Sequence, residues 1–97
     1  MNQLENITKE LACKDFDLPE TTAFENLRQL LLERMVYLLL HDLPGLWNIL
    51  YRIDVNERKV KQLFEANTPE HIAPGLTDLV LQRLKEKAET RLKYKNK

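Results

Sequence analysis

The chain has 97 residues, 15 basic and 15 acidic side chains, and shares of 43% apolar and 31% charged residues. That composition is ordinary for a globular protein and not the signature of disorder, and it leaves room for one folded domain with one core and a shallow groove, not a deep catalytic cavity. The zero net charge hides an uneven distribution: residues 1–48 carry four basic and eight acidic groups, and residues 49–97 carry eleven and seven.

A single cysteine, Cys13, excludes an internal disulfide and suits a reducing compartment. The opening Met-Asn-Gln-Leu-Glu has no basic stretch leading into an apolar run, so no signal peptide is expected. Asp42 and Arg52 interrupt the most apolar stretch before it reaches the roughly 18 residues a membrane span needs. A cytoplasmic protein with no membrane contact is the expectation.

In chain order, Leu4, Ile7 and Leu11 mark a first amphipathic helix over about 2–14, with Asp15–Asp17 as a loop. Asp17 with Glu20 and Pro19 favours a second helix start near 18, and Thr22 with Glu25 is a competing one. This helix, 18–41, points Phe24, Leu27, Leu31, Met35 and Leu38 inward. Leu30, Val36, Leu39 and Leu40 widen the stripe, which predicts a central helix covered on more than one side. Pro44 breaks the ladder, and Asp42 caps a third helix, 43–53, that buries Leu46, Leu50 and Ile53. Asp54 and Glu57 form the pattern of a capping box for a fourth helix, 55–66, with Val60, Leu63 and Phe64 inward. Thr68-Pro69-Glu70 opens a single turn that Pro74-Gly75 closes, and the last helix, 75–94, buries Leu76, Leu79, Val80 and Leu84. Residues 93–97 are expected to fray. The fold class is therefore all-α, an irregular bundle of four to five helices in a single domain spanning 1–97, organised around Met35–Asp54.

Catalytic chemistry finds little purchase. There is no serine, so Ser-His-Asp catalysis is excluded, and two glycines cannot build a phosphate-cradling loop. Asp54, Asn56 and Glu65 have the spacing of calcium ligands, but Arg58 and Lys59 occupy positions where a dication would sit. His41, His71 and Cys13 lack the short paired spacing of a zinc site. No catalytic residue, metal or cofactor is expected, and the chain reads as a non-enzyme.

Two features point to binding instead. Arg83, Lys87, Arg91 and Lys95 stand four apart on the last helix, a basic ridge suited to a nucleic-acid backbone or an acidic protein surface. The bland reading is that these cations complement the helix dipole. Trp47, Tyr51 and Arg52 are residue types that dominate protein interfaces, although both rings would equally complete the core of a small protein. Leu32, Leu40 and Leu81 are surplus to the main stripes. A protein-interaction or adaptor module, with an unknown protein or a second copy as partner, is the first expectation. A nucleic-acid accessory is the alternative.

The run Leu50-Tyr51-Arg52-Ile53-Asp54-Val55-Asn56-Glu57-Arg58-Lys59-Val60-Lys61, with Leu76-Thr77-Asp78-Leu79-Val80-Leu81-Gln82-Arg83, resembles small uncharacterised bacterial α-helical proteins. The resemblance covers the C-terminal two-thirds of the chain. It implies a small bacterial cytoplasmic protein and assigns no activity, ligand or site residue.

Overall fold

The structure, a computed structural model, describes residues 2–95 apart from the side chains of Pro69 and Lys95. It is all-α: among the described residues there are five helices and no strand. They are α1 (Gln3–Phe16), α2 (Phe24–His41), α3 (Leu43–Ile53), α4 (Glu57–Ala66) and α5 (Pro69–Lys95).

The Asn2 side chain caps α1 by accepting from the Glu5 amide at 2.7 Å. The helix runs past Cys13 because Phe16 is drawn fully into the core, so residues 15 and 16 are helix and not loop. Asp17 then turns left-handed (φ 54°), and the Leu18 amide closes back on the Cys13 carbonyl at 3.0 Å. Asp17 therefore ends one helix and does not start the next. Neither expected start for α2 operates. The Pro19 carbonyl takes the Thr22 amide at 3.0 Å and the Thr22 hydroxyl at 2.6 Å, a local turn that competes with helix. The helix begins only at Phe24, behind Ala23, which offers no side-chain cap.

At the next corner, Asp42 caps α3 as its sequence suggests, accepting from the Gly45 amide at 3.1 Å. Asp54, however, is the left-handed end of α3 (φ 62°), and Asn56 caps α4 through the Lys59 amide at 3.1 Å.

The expected turn 69–74 is fused to α5. Pro69 occupies the first helical position, where a missing N–H is harmless, and the Thr68 carbonyl accepts the Ile72 amide at 2.9 Å. Pro74 lies inside the helix without ending it. The carbonyl it leaves unbonded belongs to Glu70 in the exposed first turn, while Ile72, Ala73, Leu76 and Thr77 are buried on either side. The helix continues through Lys95; residues 96 and 97 of the expected frayed end lie outside the described residues.

The axis of the molecule is α5, not α2. Its 27 residues give a rod of about 40 Å, which accounts for the 42 Å long dimension of the protein. α2 lies antiparallel to it, with Arg28 3.1 Å from Asp78 and Phe24 beside Leu81. α4 is antiparallel on another side, where Leu63 sits so close to Gly75 that a Cβ there would lie 2.6 Å from its methyl. α1 covers the stretch from Leu81 to Leu92. One core runs through all five helices, led by Phe16, Leu27, Leu31, Met35, Leu46, Ile53, Leu76 and Leu84. No helix among the described residues is long and apolar enough to cross a membrane.

Candidate functional site

The side chains between Met35 and Ile53 do not all turn inward. Met35, Leu38, Leu46, Leu50 and Ile53 are buried, but Val36, Tyr37, Leu40, Leu43, Trp47 and Tyr51 remain exposed. The division follows helical phase. On α2, Leu27, Leu31, Met35 and Leu38 share the face against α5, which leaves Val36 and Leu40 on the opposite side. On α3, Leu46, Leu50 and Ile53 take the inner face, and Leu43, Trp47 and Tyr51 form a second stripe at four-residue steps beside it.

The exposed residues follow one another closely. Val36 to Leu40 is one helical turn, and Leu40 and Leu43 flank the corner at Asp42. Leu43 to Trp47 and Trp47 to Tyr51 are single turns again. Leu40 is 64% exposed and Tyr51 80%, values typical of open surface and not of a frayed core edge. Of the surplus leucines, Leu32 and Leu81 are half-buried against the core, and Leu40 alone of the three stands in water.

Parts of the run are held in place. Trp47 stacks on Phe64 of α4, with centroids 5.2 Å apart and an interplanar angle of 28°. Tyr37 has the His41 ring 4.9 Å away and the Arg34 guanidinium 5.8 Å from its centroid. Arg34 also donates to the Asp17 carbonyl at 3.2 Å. Trp47 and Tyr51 are thus surface residues, and Arg52 beside them is exposed too.

The basic ridge is not a free stripe. Positions 83, 87 and 91 lie near the helical phase of the buried Val80, Leu84 and Ala88, so the ridge crosses the packed side of α5. Arg83 donates through Nε to the carbonyls of Ile53 and Asp54, each at 3.1 Å, and through a terminal nitrogen to Glu86 at 3.3 Å. It occupies the C-terminal end of α3, where backbone carbonyls are otherwise left open and a cation is favoured by the helix dipole. Lys87 is half-buried; Arg91 is exposed and lies against α1 in a cleft with Gln3, Asn6, Ile7, Glu10 and Leu92. The side chain of Lys95 lies outside the described residues.

Cys13 lies beneath a shallow cleft lined by Lys9, Glu10, Lys14 and Asp17, with Sγ 3.5 Å from the Pro19 carbonyl. Burial raises its thiol pKa above the ordinary value, a shift that Lys9 opposes in part. His71 pairs with its own helix cap, Nδ1 lying 2.9 Å from the Thr68 hydroxyl. Among the described residues no group of three or more His, Cys, Asp or Glu side chains is arranged to hold a metal ion.

No protein-family model, curated protein or solved structure matches this chain.

Proposed function

We propose that this protein acts by binding, as a non-enzymatic interaction module whose docking surface is the exposed run Val36–Leu40–Leu43–Trp47–Tyr51. The observation that carries the reading is the exposure of five large apolar side chains in consecutive helical steps, with Tyr37 exposed beside Val36. Apolar residues scattered singly over a surface are ordinary, whereas apolar side chains left exposed turn after turn along two successive helices are the pattern of an interaction site. Tyr and Trp are well suited to the task, offering wide contact area with few rotatable bonds to immobilise. The buried free thiol of Cys13 supports a reducing, cytoplasmic setting for this activity.

The test is photo-crosslinking in the cell that makes the protein, with a benzophenone amino acid at Tyr51. A control carries it at Glu70, which is exposed at the start of α5. Covalent protein adducts from position 51 and few from position 70 are expected. An absence of adducts from position 51 overturns the reading.

A further inference from the structure

We propose that α4 is a releasable strap. It melts as a unit between Asn56 and Asn67 while the other four helices stay packed, and its release bares the face of Trp47 that Phe64 covers. The second half of the proposal rests on the docking surface proposed above, because the ring so bared lies in the middle of it.

Little holds α4 down. Of its ten residues only Val60 is buried, and Leu63 and Phe64 are half-buried. Its charged side chains, Glu57, Arg58, Lys59, Lys61 and Glu65, make no ion pair among the described residues. The side-chain hydrogen bonds at its two ends stay within the segment. Asn56 accepts from the Lys59 amide and Asn67 donates to the Leu63 carbonyl, each at 3.1 Å. What joins α4 to its neighbours is therefore the burial of Val60, the Leu63–Gly75 approach and the Trp47–Phe64 stack. A helix this short does not stand alone in water, so once those side chains let go the segment unfolds instead of swinging out as a rod.

Both joints are fastened without help from α4. Before it, Arg83 holds the carbonyls of Ile53 and Asp54, and Val55 is buried with its amide on the Leu50 carbonyl at 3.1 Å. After it, the Thr68 carbonyl receives the His71 and Ile72 amides at 2.9 Å, so α5 starts on its own. As a helix the segment spans ~15 Å, and the same residues unfolded reach further, so release requires neither end to move. Opening one stretch while the remainder stays intact is the behaviour of segments with few buried apolar contacts.

Release alters the docking surface at one point. Phe64 lies on the Trp47 ring with centroids 5.2 Å apart and leaves that residue 42% exposed. With α4 gone, the covered face joins Leu43 and Tyr51 in water. A partner that grips both faces of the indole favours the released state, and the population of that state then sets its apparent affinity.

Hydrogen exchange resolved by peptide mass spectrometry reads release on the wild type. Amides of residues 60–66 are expected to be at least about a hundredfold less protected than the best-protected amides of α2 and α5. Protection within about threefold of theirs overturns the proposal. Lys61→Pro then fixes the segment open, removing a helical hydrogen bond at an exposed position and setting its ring against the Glu57 carbonyl. The expected variant loses the far-UV circular dichroism of the ten residues of α4, melts cooperatively in the remainder, and has a red-shifted, more readily quenched Trp47. Loss of most of the helical signal overturns the strap. Unchanged Trp47 emission with α4 melted overturns its effect on the docking surface. These readouts need no partner, so their failure leaves the Tyr51 crosslinking result standing, and an absence of adducts at Tyr51 leaves the exchange result standing.

Discussion

The two ends of this protein use the same residue types to different ends. Where α1 and α2 lie on α5, apolar side chains interlock: Phe16, Leu27, Leu31, Met35, Leu76 and Leu84 are all fully buried, and the polar Thr77 is satisfied by the Ala73 carbonyl at 2.8 Å. At the α3–α4 corner, Trp47 and Tyr51 stay in water, and the corner is fastened by a few discrete attachments. These are the Arg83 clamp on the end of α3, the Leu63–Gly75 approach and the Trp47–Phe64 stack. The contrast teaches that apolar content alone does not locate the core. Helical phase decides which leucine is packing and which is surface, and the apolar residues left over at the corner form the surface proposed above for binding.

The largest effect that tests this division belongs to the packed end. Phe16→Ala empties a site that is 1% exposed and should cost about 3–5 kcal/mol by chemical denaturation, enough to unfold much of a domain this small. A loss below about 1 kcal/mol would mean the α1–α5 seam is not the main source of stability.

Next is the clamp. Arg83→Met keeps the aliphatic stem but removes the donors to two carbonyls, and its side chain is only partly exposed. A loss of about 1–2 kcal/mol is expected, with amide exchange accelerated in α3 and α4 ahead of α1 and α2. Uniform acceleration across all five helices would erase the distinction between the two ends.

Smaller still is the effect of Tyr51→Ser on the isolated chain. A side chain this open should shift stability by no more than about 0.5 kcal/mol. A cooperative loss comparable with Phe16→Ala would show that Tyr51 belongs to the core after all.

The smallest effect is alkaline. Because burial raises the Cys13 thiol above its ordinary 9.0, the folded state favours the protonated form. Its contribution is fully present below pH 9 and is lost as the pH rises through the higher folded value. Melting temperatures of wild type and Cys13→Ala should therefore run parallel up to about pH 9 and diverge above it, the wild type falling faster. Parallel curves throughout would show that the thiol is not desolvated.

Much of the fold is written in periodicity and punctuation. The bounds of α3 follow from Asp42 and Pro44 on one side and the end of the leucine stripe on the other, and all five helices can be seen before any contact is known. What the sequence hides is competition for shared groups. Asp17 and Asp54 look like helix starts, but each is taken as the left-handed end of the preceding helix, which leaves Asn56 to cap α4 and nothing to cap α2. Pro74 reads as a break, yet burial on both sides carries α5 through it. The candidate site was half-visible. Trp47, Tyr51, Arg52 and Leu40 can be picked out by residue type and surplus, but Val36 looks like core until α2 is known to lie against α5 on one face only, and Leu43 carries no signal of its own. In the basic ridge, four-residue spacing suggests an open stripe, whereas Arg83 is drawn to the end of a helix thirty residues earlier in the chain.

Trp47 is the only tryptophan in the chain and lies in the middle of the proposed contact at 42% exposure, so its emission reports on the surface without any label. Below one micromolar, the account predicts emission that acrylamide quenches readily, with the same quenching and a stability within about 0.5 kcal/mol of wild type in Leu40→Lys. Emission shielded from the quencher, or a cooperative loss of stability in Leu40→Lys, would contradict it.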